Sequence, residues 1–173
     1  MNKASITPAW EGFRMANGIG LRAIELIPED KLDARPIPGM RTPKELVCHF
    51  YQIIPDLTTA VAKGEATDSE PAEAKAAASI KTRDELVAWC KKNWAEAEKT
   101  FAGLTDAQIA GTVKTPWGHE FSGAGMLDIL INEYWHHRGQ LYCYLRALGV
   151  APHSLYDFEH NAPEYQAGAR ATS

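Results

Sequence analysis

The sequence feature that most constrains the fold is a long helical segment near the C-terminal end. It extends from about Gly123, after an N-cap residue at Ser122, to Leu148, and Gly149 ends it. At 1.5 Å per residue this helix would be about 39 Å long. One stripe along it carries Met126, Leu130, His137, Leu141 and Leu148. Such a stripe is typical of a helix that packs its apolar face against other helices.

Three further helices are predicted upstream. The first covers about residues 7–27. The second begins at Thr42, where Thr42 and Glu45 form a capping box and Pro43 suits the first helical position. The third opens with the same kind of box and covers about residues 82–101. Four long helices with short or medium connections predict an all-α protein, a four-helix bundle.

The connections carry the remaining structural expectations. Pro55 should bend or shorten the second helix because it removes a backbone donor. Residues 63–80 contain little apolar content beyond alanine, so we expect an exposed loop that can include a helical turn. The stretch "TVKTPWGHEFS", residues 112–122, predicts a small hairpin before the last helix. We predict one domain over residues 1–155 and a C-terminal tail over 156–173, with its last residues disordered.

Charge and cysteine content limit the partners and the compartment. The net charge of -4 argues against nucleic acid, which needs a cationic face, and weakly against anionic membranes. Three cysteines without a CxxC motif suit free thiols in a reducing compartment, and Cys48 and Cys143 are expected to be buried. The N-terminus lacks a signal-peptide core, and no apolar run is long enough to span a bilayer. These features predict a cytoplasmic protein.

The stretch "EYWHH" in the last helix contains residues that could bind a metal. Glu133 and His137 are four positions apart, so their side chains can converge on one point. Glu133 and His136, three apart, form a competing pair. The two adjacent histidines point about 100° apart around the helix and cannot both face one site. The apolar stripe favours His137, because His136 lies towards its edge.

His49 is the second candidate ligand. It lies on the apolar face of the second helix, between Leu46 and Ile53, and packing in a bundle could bring it near Glu133 and His137. Two imidazoles and one carboxylate would leave open positions on a metal, which is typical of a catalytic site. The alternative is a core histidine hydrogen-bonded to a neighbour, with Glu133 paired to a histidine or to an arginine of its own helix.

Three segments together resemble a known family. "NEYWHHRGQLYCYLRALGVAP" resembles the final-helix signature of the DinB-like (YfiT-like) metalloenzyme superfamily, "ELVCHFYQI" its second helix, and "TPWGHEFS" its hairpin. The resemblance covers about residues 5–155 and implies a four-helix bundle that holds a divalent metal with three histidines. It places two ligands at His49 and His137, and the third at position 133, where this sequence has Glu133. Either the carboxylate replaces the imidazole, or metal binding has weakened or disappeared.

The chemistry of the donors and of their neighbours sets further expectations. Zinc or nickel is the favoured ion, ahead of iron and manganese. Other residues are expected to contact the ligands or to line the pocket: His136, Arg138, Gln140, Trp117 and His119. The alternatives are an exposed position for His136 and a turn-stabilising role for Trp117. Gly139, in the middle of the helix, is interpreted as a point where another helix approaches closely.

Two functions remain open from the sequence. The first is a metal-dependent enzyme, a hydrolase or a thiol-dependent transferase, because relatives in the superfamily include thiol-dependent transferases and isomerases. Its substrate would be a small molecule, with a thiol among the candidates, and the chain would form a homodimer. The second is a non-catalytic stress-response or small-ligand-binding helical dimer with a degenerate metal site. Neither involves nucleic acid or a membrane.

Overall fold

A computed structural model describes residues 1–169, which form six α-helices, two single turns of 3₁₀-helix and one hairpin. The helices are α1 (Lys3–Glu25), α2 (Pro43–Lys63), α3 (Glu70–Ser79), α4 (Arg83–Gly103), α5 (Asp106–Ala110) and α6 (Gly123–Ala147). The hairpin pairs β1 (Thr112–Lys114) antiparallel with β2 (Glu120–Ser122), and the 3₁₀ turns are Glu29–Lys31 and Pro163–Tyr165. The predicted helical bundle with a small hairpin before the last helix is confirmed.

The four long helices surround one core. Helix α2 packs against α4 and α6, and α1 packs against the same two helices from the opposite side. An aromatic cluster joins α1 to α4, in which the rings of Trp10 and Phe101 stack with centroids 4.2 Å apart. Within residues 1–169, no helix combines the length and the apolar content needed to cross a membrane.

The start of α2 follows the local rules that predicted it. The Thr42 hydroxyl accepts from the Glu45 backbone N–H at 3.1 Å, and the Glu45 carboxylate accepts from the Thr42 N–H at 2.7 Å.

Pro55 does not shorten the helix, which continues to Lys63. Because proline has no N–H, the carbonyl one turn earlier, on Tyr51, loses its helical partner. The side-chain amide of Asn93 on α4 donates to that carbonyl at 3.2 Å and replaces the missing bond.

The prediction of an exposed loop over residues 63–80 is wrong for its second half. Residues Glu70–Ser79 form α3, whose alanines have the highest helix propensity. The helix is docked on α2 at both ends. The hydroxyl of Ser69 donates to the carboxylate of Asp56 at 2.7 Å, and the ammonium of Lys44 donates to the Ile80 carbonyl at 3.2 Å. Tertiary contacts thus order a segment that has almost no apolar face.

The tail packs on α1 as far as the structure describes it. The Asn161 side chain donates to the Met15 carbonyl at 2.8 Å, and Tyr165 is buried. The Arg22 guanidinium donates to the Asp157 carboxylate at 2.5 Å. The disorder predicted for the last residues falls on 170–173, which lie outside the described residues. The domain boundary at residue 155 stays a prediction.

Candidate metal centre

The structure brings His49, Glu133 and His137 together. One ligand atom from each lies within 4.8 Å of the others. The His49 Nε2 and His137 Nε2 atoms are 3.0 Å apart, and the Glu133 Oε2 atom is 3.2 Å from His137 Nε2. The His137 side chain is 8% exposed, whereas that of Glu133 is 48% exposed. His137 therefore forms the buried side of the group, His49 is partly exposed to the cleft, and Glu133 forms the open side.

The outer nitrogens of both imidazoles have hydrogen-bond partners. His49 Nδ1 lies 2.9 Å from the Glu73 Oε2 atom, and His137 Nδ1 lies 2.8 Å from the Gln140 Oε1 atom. The Glu73 carboxylate can only accept, so it draws a proton to His49 Nδ1 and leaves the Nε2 lone pair of His49 facing His137. Two Nε2 atoms 3.0 Å apart either share a hydrogen bond or bind one cation together, because two facing lone pairs would repel.

The donor set fits a divalent metal. A tetrahedral zinc ion with Zn–N bonds of about 2.0–2.1 Å would hold two nitrogens about 3.3 Å apart, close to the observed spacing of the two imidazoles. Burial lowers the pKa of His137, and the neighbouring His49 acts in the same direction. The neutral imidazole, which is the form that binds metals, is therefore favoured at His137.

A cleft of about 540 Å³ opens beside this group. Its apolar wall includes Ile53, Leu57 and Ile129, and the hairpin contributes Pro116 and the half-exposed ring of Trp117. Trp117 therefore lines the cleft, and its role at a metal site stays a prediction. The charged side chains that line the cleft are all acidic: Asp68, Glu70, Glu73 and Glu133. Within the described part of the chain, no lysine or arginine lines it.

Gln140 and His136 form an outer layer on α6. The Gln140 side chain bridges the two histidines, since its Nε2 atom is 3.1 Å from His136 Nε2 while its Oε1 atom faces His137. His136 is exposed and lies outside the group that could hold a metal. His137 is thus the imidazole of this pair that lies within the candidate group, and its role as a ligand stays a prediction.

Two of the residues expected near the centre lie elsewhere. The Arg138 guanidinium lies 4.2 Å from the ring centroid of Trp135 and donates to the Ala16 carbonyl of α1 at 3.4 Å. One residue of helix turns a side chain by about 100°, so Arg138 faces α1 while His137 faces α2. His119 is exposed and is absent from the residues that line the cleft. Its backbone carbonyl accepts from the Thr115 N–H at 3.0 Å, so its contribution is to the hairpin turn.

Two smaller expectations on α6 are also wrong. A Cβ atom on Gly139 would meet nothing within 4 Å, so no helix approaches there. Close approach occurs instead at Gly20 on α1, where a Cβ would lie 2.0 Å from the Tyr134 hydroxyl oxygen. Cys143 is exposed rather than buried, whereas Cys48 is buried as expected. Each error arises because periodicity does not show which helix face meets a neighbour.

Glu73 is the residue of this site that sequence reasoning missed. The sequence pattern predicts an exposed loop at this position, whereas the structure buries Glu73 on α3 against His49. One signal could have revealed the helix: a serine followed by Glu-Pro and an alanine-rich run, "SEPAEAKAAAS", typical of a helix start. Nothing in the local pattern shows that Glu73 would face His49.

Comparison with known proteins identifies the family. The sequence profile of the DinB family matches residues 6–168. The chain belongs to the DinB family. Among curated proteins, none matches the sequence.

Solved structures share the fold. A DinB-like protein from Bacillus subtilis has 19% sequence identity and a TM-score of 0.67, over 83% of this chain and 94% of that one. A DinB-like protein from Bacillus cereus has 17% identity and a TM-score of 0.70, over 90% and 98%. A mycothiol-dependent maleylpyruvate isomerase has 15% identity and a TM-score of 0.60, over 75% of this chain and 57% of the isomerase.

Proposed function

We propose that this DinB family protein is a metal-dependent enzyme that binds a divalent cation through His49, Glu133 and His137. The observation that carries the proposal is the pair of Nε2 atoms 3.0 Å apart, each with its outer nitrogen next to an oxygen acceptor. A carboxylate completes the set on the side that opens to the cleft. Imidazole and carboxylate suit zinc and nickel, with iron and manganese as the next candidates.

The residues around the centre have separate tasks in this proposal. A bound divalent metal would act as a Lewis acid on a water molecule, a thiol or a substrate oxygen. His49 and His137 hold the ion from the buried side, and Glu133 offsets part of its charge. The apolar wall at Ile53 and Ile129 excludes water from one side of the bound substrate, which strengthens electrostatic interactions there.

The size of the cleft supports a small-molecule substrate. Its volume of about 540 Å³ lies within the usual range for small-molecule pockets. Hydrolysis and thiol-dependent group transfer both fit an open metal position next to an apolar wall. The shared fold of a mycothiol-dependent isomerase supports the thiol alternative. Because Asp68 and Glu70 add negative charge, we expect a neutral or cationic substrate rather than a polyanionic one.

Metal content is the first test. Protein purified without a nickel column should contain about one divalent metal per chain or take up one added zinc or nickel ion with micromolar or tighter affinity. His137→Ala should abolish this binding, and His136→Ala, which changes the adjacent exposed imidazole, should preserve it. A wild-type protein that neither contains nor binds metal would contradict the proposal, and so would equal losses in the two variants.

Position 133 separates this proposal from its alternative. The half-exposed carboxylate of Glu133 can also be explained as a simple partner of His137, in a non-catalytic ligand-binding protein with a degenerate site. If Glu133 is a ligand, Glu133→Ala should weaken zinc binding, and Glu133→His should keep it while restoring the family pattern. The alternative predicts that only Glu133→His binds metal.

A further inference from the structure

We propose that Glu73 is a positioning residue of the metal centre, which fixes the tautomer and the ring orientation of His49. The expected consequence, a higher metal affinity, rests on the proposed metal binding. Its structural part, the tautomer of His49, can be tested without a metal.

The hydrogen bond between Glu73 and His49 can have only one donor, which is His49. The Glu73 Oε2 atom lies 2.9 Å from His49 Nδ1, while His49 Nε2 faces His137 Nε2 at 3.0 Å. An ionised carboxylate accepts hydrogen bonds and cannot donate them, so Nδ1 must carry the proton. The lone pair for the metal is then on Nε2, the atom that faces the centre.

Gln140, the corresponding partner of His137, does not impose a tautomer. Its amide presents an oxygen to His137 Nδ1 at 2.8 Å, but a rotation of the amide would present an N–H donor at the same place. His137 can therefore adopt either tautomer, and in the metal-free protein its Nε2–H can donate to His49. Of the two outer contacts, that of Glu73 alone determines which nitrogen carries the proton.

The burial of Glu73 points to the same role. Its side chain is 11% exposed, and burying a carboxylate is unfavourable unless it has a partner. Within residues 1–169, His49 is its hydrogen-bond partner and no lysine or arginine forms an ion pair with it. Ala76 is the other buried residue within α3, so the helix presents one carboxylate and one small apolar group to α2.

The negative charge of Glu73 also fits a site for a divalent cation. Two carboxylates, Glu73 and Glu133, lie beside the two imidazoles. Together they carry the charge that neutralises a divalent cation. A carboxylate on the outer nitrogen of a ligating histidine increases the basicity of the ligand, and losing such a partner lowers metal affinity about 10–100-fold.

The test compares Glu73→Ala and Glu73→Gln with Glu70→Ala. Glu70 lies on the same helix, is exposed and borders the same cleft, but forms no hydrogen bond or ion pair with His49, so it is the matched control. Zinc affinity is measured by competition with a chromophoric chelator. The tautomer of His49 is measured in metal-free protein by ¹⁵N NMR of the imidazole nitrogens at mildly alkaline pH. Circular dichroism verifies that each variant is folded.

Glu73→Ala should weaken zinc binding about 10–100-fold and shift His49 from the Nδ1–H form towards the Nε2–H form. Glu73→Gln should lose less than about tenfold, because the amide oxygen still accepts from Nδ1. Glu70→Ala should change zinc affinity by less than about twofold.

An unchanged His49 tautomer in Glu73→Ala would overturn the proposal, as would an equal affinity loss in Glu70→Ala. If the wild type bound no zinc, the proposed function would fail. The tautomer measurement would still decide the role of Glu73.

Discussion

Replacing Gly20 on α1 by alanine tests the contact that sets α6 against α1. The new Cβ would lie 2.0 Å from the Tyr134 hydroxyl oxygen and 3.2 Å from its Cζ atom. Tyr134 is fully buried and its hydroxyl donates to the Ala16 carbonyl at 3.3 Å, so the ring has little room to move. Overpacking typically costs about 1–3 kcal/mol, and the severe overlap favours the upper end. The higher helix propensity of alanine offsets about 0.5–1 kcal/mol of this loss in stability. We expect a net destabilisation of about 2 kcal/mol.

A second substitution isolates this contact. Tyr134→Phe alone should cost about 1 kcal/mol, the usual net value of one hydrogen bond. In the double variant the 2.0 Å overlap disappears with the hydroxyl, and the 3.2 Å contact to the ring remains. Independent effects would add to about 3 kcal/mol, whereas we expect a total near 1, which corresponds to a coupling of about 2 kcal/mol.

Urea unfolding, followed by tryptophan fluorescence and circular dichroism, measures these free energies. Gly12→Ala is the control on the same helix, because a Cβ there meets nothing within 4 Å. This control should be neutral or stabilising by up to about 1 kcal/mol. Additivity of Gly20→Ala and Tyr134→Phe to within about 0.5 kcal/mol would refute the reasoning.

Three further predictions concern α6 and the tail. Gly139→Ala should raise the free energy of unfolding by up to about 1 kcal/mol, measured by urea midpoint, since the helix gains alanine without a new contact. Hydrogen bonding to His160 lowers the pKa of Asp157 below its ordinary 3.8, and the same contact raises the pKa of His160 above its ordinary 6.5. The contact between Asp157 and His160 should stabilise the folded protein fully between pH 3.8 and pH 6.5, the two ordinary pKa values. This stabilisation should fall as the pH rises through the raised pKa of His160 and as it drops through the lowered pKa of Asp157. Unfolding of His160→Ala across this range should lack the decline on the alkaline side. Ellman's reagent should label Cys143 quickly in folded protein and Cys48 only after unfolding, because burial raises the pKa of that thiol to about 12.

Local patterns predicted the four long helices and the hairpin of this protein, but not α3. The capping box of Thr42 and Glu45 predicted the start of α2 because its hydrogen bonds join residues three positions apart. The four-residue spacing of Glu133 and His137 likewise placed both side chains on one face of α6. Pro55 shows the limit of such rules. A side chain from α4 replaced the hydrogen bond that proline removes, so the helix did not end there.

The sequence by itself therefore determined the four long helices, the hairpin and one half of the candidate site, because these depend on residues within a few positions of one another. Only the tertiary structure decided that His49 meets His137, 88 positions away, and that Glu73 on α3 lies behind His49. It also decided that Arg138 faces α1 and that Gly20 marks the close approach. The physical reason is that helical periodicity defines the faces of each helix. Which faces meet depends on the packing of the whole chain.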